Sequence, residues 1–136
     1  MLLRKEHDYA IRIIRVLYHY ERASLDLISQ KESISRSFVG KVASKLRKAG
    51  LIISKKGPST GGYFLNVPAD EISLYDIVCA VDGDLYISEC LETGEICERA
   101  DNDGRCSVNE RLWELQKAII TIMKENKLGE IFRASK

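Results

Sequence analysis

The connection at residues 57–62, GPSTGG, constrains most strongly how this chain can fold. It follows the β-branched run LIISKK and precedes YFLNV, which is closed by Pro68. Glycine and proline at this density exclude a helix, and the segment holds too little apolar surface to lie in a core. Two short strands joined by a projecting tip are therefore predicted over residues 51–67.

The residues before this hairpin are patterned as helices. The segment HDYAIRIIRVLYHYE repeats apolar residues at helical spacing, and Ser24 can cap a short second helix, LDLISQ. Ser35 can cap a third helix from Arg36 to Ala49, which Gly50 ends in a left-handed conformation. A helix-turn-helix followed at once by a hairpin is typical of a winged helix, whose third helix enters the major groove of DNA. The predicted fold class is mainly α with a small β wing.

Charge is distributed unevenly along the chain, although the formal net charge is only +1. Residues 31–57 hold eight basic side chains against one acidic side chain, a net charge of +7. Residues 84–106 hold seven acidic side chains against two basic ones, a net charge of −5. A basic block of this density is the electrostatic footprint of a phosphate-backbone binder, with a merely solvated helix face as the alternative.

A fourth helix is predicted at residues 73–82, SLYDIVCAVD. Ser73 and Asp76 form a capping box at its start, and Gly83 ends it. Cys79 stands among apolar residues of this helix. We interpret Cys79 as a buried core residue rather than a ligand, because small thiols pack well inside helices.

A long helix, VNERLWELQKAIITIMKENK, is predicted to begin after Ser107, with Glu110 completing a capping box. Its apolar side chains form a stripe: Leu112, Leu115, Ile119, Ile122 and Met123. Such a stripe after the core elements favours pairing with a second copy of the chain, although the helix can also form the back of the same core. A homodimer is therefore predicted.

The composition supports one compact unit. With 136 residues, of which 45% are hydrophobic and 30% charged, the chain can close one core. Within this unit we predict a winged helix-turn-helix DNA-binding region at 1–83, a cysteine loop at 84–106, and a dimerisation helix with a tail at 107–136. The charged start MLLRKEHDYAIR lacks the apolar region of a signal peptide, and a cytoplasmic location is expected. No enzyme is expected, because no nucleophile and base stand at usable positions.

Three of the four cysteines, Cys90, Cys97 and Cys106, lie in the acidic loop. In a reducing cytoplasm, cysteines are more often thiols, metal ligands or redox sensors than disulfides, and the intervals of six and eight residues match no close-paired zinc pattern. An iron–sulfur cluster needs anionic thiolates and can order a loop that lacks an apolar core. Cys106 also precedes the long helix, whose N-terminus favours a thiolate.

The segments ISRSFVGKVASKLRKAGLIISKKGPSTGGYFL and ISLYDIVCAVDG, with the three-cysteine loop before LWELQ, resemble the Rrf-type transcription regulators of bacteria. The resemblance covers nearly the whole chain and extends to the IscR-, NsrR- and CymR-like branches of that family. It implies a dimeric winged-helix repressor or activator that binds a double-stranded DNA operator. Many such regulators carry an iron–sulfur cluster, [2Fe-2S] or [4Fe-4S], on these cysteines.

The resemblance also assigns DNA-contacting positions. It places base reading at Ser37, Gly40 and Lys41 on the third helix and at Lys56 beside the wing. Related regulators often carry acidic and amide side chains where this chain has Gly40 and Lys41, so a different operator sequence is expected. The wing tip departs from a common all-glycine form through two hydroxyl side chains that can contact phosphate. The predicted DNA-binding residues are Arg36, Ser37, Gly40, Lys41, Lys45, Lys55, Lys56, Ser59 and Thr60.

Three cysteines leave one coordination position of a cluster to another residue. In IscR-like members a histidine three residues beyond the last cysteine fills it, but this chain has Asn109 there, a poor iron ligand. In NsrR-like members an aspartate near the N-terminus fills it, and Asp8 stands at the matching place. The predicted metal ligands are therefore Cys90, Cys97, Cys106 and Asp8, the last from the second copy. His7, Glu6 and Glu110 are the alternatives to Asp8, which can also have only a surface role.

Two kinds of regulator are consistent with these patterns. The preferred function is a dimeric DNA-binding transcription regulator that senses redox state, nitric oxide or iron–sulfur status through the cluster. The alternative is a cluster-free regulator of the same fold that uses a thiol switch, zinc or a metabolic-enzyme partner. Visible absorption of protein purified without air distinguishes the two.

Overall fold

The computed structural model describes residues 2–94, 100, 104 and 106–134. Within these ranges the chain forms seven α-helices, three short strands and a 3-10 turn at Ala69–Glu71. The elements are α1 Lys5–Tyr20, β1 Arg22–Ala23, α2 Leu25–Glu32, α3 Arg36–Lys48, β2 Ile52–Lys55, β3 Gly62–Leu65, α4 Leu74–Asp82, α5 Glu89–Thr93, α6 Ser107–Glu125 and α7 Leu128–Ala134. This mainly helical fold with a small antiparallel sheet confirms the predicted fold class. No helix in the described ranges is long and apolar enough to cross a membrane.

The predicted caps of the helix-turn-helix are present. The Ser24 hydroxyl accepts a hydrogen bond from the backbone N–H of Leu27 at 3.1 Å, and the Ser35 hydroxyl accepts one from Phe38 at 3.3 Å. Gly50 follows α3 with φ +81°, a left-handed conformation that glycine adopts without the cost of a Cβ. These local signals set where α2 and α3 begin and where α3 ends.

The wing is a three-stranded sheet in the order β1-β3-β2. Strands β2 and β3 form the predicted hairpin, with Ser54 opposite Tyr63, and β1 pairs with the other edge of β3. Gly62 has φ +125°, and a Cβ at this position would lie 2.9 Å from the carbonyl oxygen of Ala23. Glycine is therefore required where β1 passes β3, and this pairing joins the wing to the end of α1.

The main core lies among α1, α3, α4 and α7. Its fully buried side chains include Ile13, Ile14, Leu17, Val39, Val42, Leu46, Ile77 and Leu128. The long helix α6 ends at Glu125, and the predicted tail instead forms α7, which buries Leu128 and Phe132 in this core. The segment after the long helix is thus a structural part of the unit that carries the helix-turn-helix.

The two predicted capping boxes have different outcomes. At α4, the Ser73 hydroxyl accepts from the N–H of Asp76 at 3.1 Å and the Asp76 carboxylate accepts from the N–H of Ser73 at 2.9 Å, which confirms the prediction. At α6 the prediction is wrong, because Cys106 occupies the N-cap position and Ser107 is already helical. The helix begins one residue earlier than the serine pattern indicates.

Cys79 is less deeply buried than predicted. It is half-buried on α4, beside Tyr75, with Asp76, Asp84 and Lys124 close enough to act on the thiol electrostatically. Burial raises the pKa of the Cys79 thiol above its ordinary value, and a hydrogen bond with Tyr75 opposes this. The hydrogen bond with Cys79 contributes most to raising the pKa of Tyr75 to about 12. Both groups are therefore neutral near pH 7.

Candidate nucleic-acid interface and cysteine site

Helix α3 presents a polar face to solvent and an apolar face to the core. Ser37 and Lys41 are exposed and lie one turn apart on the same face, while the core side is fully buried. Arg36 is also exposed, and its guanidinium Nε lies 2.7 Å from a carboxylate oxygen of Asp26 on α2. This orientation is the one that a DNA-reading helix requires.

Two lysines of α3 are bound by one carboxylate of α1. The Lys41 Nζ lies 3.2 Å from Glu6 Oε1, and the Lys45 Nζ lies 2.8 Å from Glu6 Oε2. The hydrogen bond from Lys45 holds the pKa of Glu6 below its ordinary value, with a smaller contribution from Lys41, although burial opposes both. The sequence pattern indicated Glu6 only as an alternative metal ligand and did not reveal this contact, because the partners lie 35 and 39 residues apart.

Gly40 is half-buried in the middle of α3. A Cβ at this position would meet only the Cδ1 atom of Leu25, at an ordinary contact distance of 3.6 Å. Glycine inside a helix costs about 0.5–1 kcal/mol relative to alanine. Among the described residues, packing therefore gives no reason for glycine here.

Phe38 is a second surface residue that the sequence pattern did not reveal. Its ring is exposed on α3, packs edge-on against Tyr9 of α1 at a centroid distance of 5.4 Å, and lies 5.5 Å from the Lys41 Nζ. An exposed aromatic side chain on a recognition helix can contact the methyl group of thymine. The sequence did contain a signal for the exposure of Phe38, because this residue lies outside the apolar stripe formed by Val39, Val42 and Leu46.

The wing carries its predicted residues at the surface. Lys55, Lys56, Ser59 and Thr60 are all exposed, and the Lys55 ammonium lies 4.9 Å from the centre of the Phe64 ring. The guanidinium of Arg22 donates a hydrogen bond to the backbone carbonyl of Ser59, which ties the tip to β1. Of the nine predicted DNA-binding residues, Gly40 and Lys45 are half-buried and the other seven are exposed.

The cysteine loop begins with a short helix. Leu91 of α5 is buried and anchors this helix, so the described start of the loop has more apolar support than its sequence indicates. The Cys90 Sγ lies 3.2 Å from the Ser88 hydroxyl, and the Asn109 amide donates to it at 3.3 Å. The bond with Ser88, followed by that with Asn109, lowers the pKa of the Cys90 thiol below its ordinary value.

Two of the three predicted cysteine ligands lie near the first turn of α6. Cys106 is its N-cap residue, and Asn109, in the first turn, reaches Cys90. Cys97 lies outside the described residues. Within the described ranges, no group of three or more His, Cys, Asp or Glu side chains is arranged around a metal position. The donors that are described are two thiols, of which Cys90 has hydrogen-bonding neighbours, and thiols suit the soft thiolate chemistry of an iron–sulfur centre.

Asp8 is available at the surface for a further ligand role. Its side chain is 54% exposed, and it forms an ion pair with the guanidinium Nε of Arg12, one turn along α1, at 3.0 Å. Glu110 also has an exposed side chain, in the first turn of α6. Both carboxylates are therefore exposed to solvent.

His7 is fully buried and already uses both ring nitrogens. Its Nδ1 accepts a hydrogen bond from the backbone N–H of Arg4 at 2.8 Å, so Nε2 carries the proton and donates to an Asp82 carboxylate oxygen, also at 2.8 Å. Arg4 forms an ion pair with the same carboxylate. His7 thus connects the first turn of α1 to the end of α4 and has no nitrogen free for a metal, unlike the exposed Asp8.

Helix α6 has a row of exposed apolar side chains. Val108, Leu115 and Ile122 are 64%, 51% and 60% exposed and repeat every seven residues. Leu112 and Ile119 lie half-buried between them. Met123, predicted to belong to the same stripe, instead packs against Val78 and Leu85. We call the five residues 108, 112, 115, 119 and 122 the α6 stripe.

Comparisons with known proteins agree with this architecture. Residues 3–134 match the family Rrf2, described as "Iron-dependent Transcriptional regulator". The chain is 33% identical over 139 residues to the HTH-type transcriptional regulator IscR of Vibrio atlanticus, with 98% of this chain and 76% of that protein covered. Its fold matches CymR (YrzC), the global cysteine regulator of B. subtilis, with a TM-score of 0.77, 22% identity, and coverage of 100% of this chain and 99% of that one. IscR of T. potens matches with a TM-score of 0.71, 21% identity, and coverage of 100% and 89%.

These matches confirm the family resemblance that the sequence motifs indicated. The relatives are transcription regulators, so the expectation that the chain is not an enzyme is also confirmed. The helix-turn-helix with its exposed basic face and wing provides the structural basis for DNA binding. The chain belongs to the Rrf2 family of DNA-binding transcription regulators.

Proposed function

We propose that this regulator holds an iron–sulfur cluster on Cys90, Cys97 and Cys106, and that the state of the cluster controls its binding to an operator. The observation that carries the proposal is the approach of Cys90 to the first turn of α6, directly beyond Cys106. Cluster ligands must be deprotonated, and the hydrogen bonds from Ser88 and Asn109 stabilise the thiolate form of Cys90. The iron-dependent description of the family supports the same assignment.

Asp8 from the second copy is the proposed fourth ligand. When bound, the cluster supplies redox chemistry and reactivity toward oxidant or nitric oxide. The role of Asp8 is to present an anionic carboxylate oxygen to the cluster. This requires the ion pair between Asp8 and Arg12 to open. The competing candidates on α1 are less accessible, because His7 uses both ring nitrogens and Glu6 binds two lysines.

Helix α1 connects the proposed ligand to the recognition helix. Glu6 lies two residues before Asp8 and Tyr9 directly after it. Glu6 binds lysines of α3, and Tyr9 packs against Phe38 of α3. A force on Asp8 would therefore be transmitted to α3 through two direct contacts. In a dimer, such a movement changes the spacing of two recognition helices, which must match the half-sites of the operator.

Dimerisation through the α6 stripe is part of the proposal. Three of its residues are more than half exposed and repeat at the seven-residue spacing of a helix that pairs with another helix. Contiguous exposed apolar side chains on one helix face are typical of an interaction surface. In this scheme residues 1–83 bind DNA, residues 84–106 hold the cluster, and 107–136 provide the dimer contact, with α7 returning to the core.

A cluster-free regulator is the second candidate. The lowered pKa of Cys90 is also the property of a reactive thiol, which favours a thiol switch as the first form of this alternative. A structure of Staphylococcus aureus CymR in an oxidized form has the same fold, with a TM-score of 0.69. Zinc on the same cysteines, or recognition of a metabolic enzyme by the dimer, are the other forms of this candidate.

Purification without air tests the proposal directly. The parent protein should contain iron and acid-labile sulfide and absorb visible light, and Cys90→Ala, Cys97→Ala and Cys106→Ala should each abolish that absorption. Cys79→Ala is the matched control and should keep the chromophore, because Cys79 lies on α4 beside Tyr75. Parent protein with zinc or no metal, and with no visible absorption, would establish the cluster-free regulator instead.

A further inference from the structure

The carboxylate of Glu6 lies within the basic surface that α3 offers to DNA. It bridges Lys41 and Lys45, with Nζ to Oε distances of 3.2 and 2.8 Å, and its side chain is only 16% exposed. Each carboxylate oxygen faces one lysine, as the oxygens of a phosphate would. Two of the cations predicted to contact DNA thus already share an anion inside the protein.

The position of Glu6 is fixed by contacts on either side of it in sequence. Arg4 and His7 both bind the carboxylate of Asp82 at the end of α4. The His7 ring also accepts the backbone N–H of Arg4, which closes the first turn of α1. Glu6 therefore cannot leave the lysines by a movement of the backbone without breaking these bonds.

A fixed carboxylate at this place has different consequences for two kinds of DNA complex. Sequence-independent binding is driven by lysines that neutralise DNA phosphates and release counterions. A carboxylate shared by Lys41 and Lys45 removes part of that driving force. Base reading depends instead on a lysine held in one direction toward a base edge. A carboxylate in this position would penalise the first kind of binding and would support the second by orienting Lys41.

We propose that Glu6 is a selectivity-determining residue, which weakens sequence-independent DNA binding by occupying Lys41 and Lys45 in the manner of an internal phosphate. The inference rests on the proposed role of these two lysines in DNA binding. It does not depend on the cluster or on the identity of its fourth ligand. The partner recognised is duplex DNA, whose backbone phosphates compete with the Glu6 carboxylate.

The test compares Glu6→Gln with the parent on two fluorescently labelled duplexes, one of random sequence and one enriched from a random pool by the parent protein. Glutamine keeps the size of the side chain and removes its charge. Affinity of Glu6→Gln for the random duplex should rise by about threefold or more at low salt. The slope of log K against log salt should steepen by about 0.9 for each additional phosphate that the freed lysines neutralise. The ratio of affinities for the enriched and random duplexes should fall.

Two controls separate this effect from a general change in charge or folding. Glu130→Gln removes the same charge from an exposed position on α7 and should leave the salt slope unchanged. In a background with Lys41→Ala and Lys45→Ala, adding Glu6→Gln should have no further effect on random-duplex binding, because its partners are absent. Thermal unfolding of each variant verifies that the fold is retained.

The outcomes distinguish this inference from the proposed DNA contacts. If the parent binds the duplexes and loses affinity on Lys41→Ala, but Glu6→Gln leaves both random-duplex affinity and salt slope unchanged, the selectivity role of Glu6 is wrong and the DNA contacts stand. An equal rise in affinity for both duplexes would likewise overturn the selectivity role. If neither lysine variant alters duplex binding, the DNA contacts and the inference are both wrong.

Discussion

Replacement of Gly40 by alanine separates the stability of α3 from its fit to DNA. The added Cβ would lie 3.6 Å from the Leu25 Cδ1 atom, an ordinary contact, so no steric cost is expected. Alanine removes the extra backbone entropy that glycine loses in a helix, which stabilises the fold by about 0.5–1 kcal/mol. For a chain of this size that gain raises the midpoint of thermal unfolding by about 2–5 °C.

The same variant should bind its preferred duplex more weakly, because the new methyl group adds bulk next to Lys41, at a position predicted to read bases. Thermal unfolding and fluorescence anisotropy with the enriched duplex measure the two effects. Gly50→Ala is the matched control, since φ is +81° there and alanine is strained in that region; it should lower the unfolding midpoint. A destabilised Gly40→Ala protein, or a stabilised one with unchanged duplex affinity, would refute the reasoning.

Three further predictions address the wing, the dimer and the cysteine segment. Lys56→Ala should weaken duplex binding and flatten its salt dependence while leaving thermal stability nearly unchanged; unaltered affinity and salt slope would contradict the placement of the wing. Ile122→Asp should yield monomers in analytical ultracentrifugation, because this side chain is 60% exposed in the α6 stripe; a folded, fully dimeric variant would place the dimer contact elsewhere. In cluster-free protein, the lowered pKa of Cys90 and the raised pKa of Cys79 predict that Cys90 reaches half-maximal alkylation at a lower pH than Cys79, as measured by mass spectrometry. The reverse order would contradict the hydrogen bonds assigned to Cys90.

The features predicted correctly from the sequence are those that local chemistry determines. Ser24 and Ser35 are capping residues whose role depends on neighbours within three positions, and Gly50 ends α3 for a reason internal to the backbone. The wing follows from the turn residues of 57–62 alone. Together these local signals were sufficient to predict the fold class and to identify which face of α3 is exposed to solvent.

The features that the sequence did not reveal depend on contacts between distant segments. Strand β1 has two residues and exists only through its pairing with β3. The tail folds as α7 because Leu128 enters a core built by other helices. The bond between Asn109 and Cys90 and the bridge from Glu6 to Lys45 likewise join residues that no periodic pattern connects. The ligand set was therefore suggested by family resemblance, whereas the contact of Cys90 with Asn109 came only from the fold.

The central claim is that the cysteine site controls operator binding, and duplex affinity measured without air tests it most directly. The enriched duplex is titrated with cluster-loaded parent protein and with Cys106→Ala protein, after both are shown to be folded. The account predicts different affinities, because loss of a ligand at the start of α6 removes the connection through Asp8 and α1 to the recognition helix. Equal affinities for a parent protein that contains iron and sulfide and a variant that lacks them would contradict it.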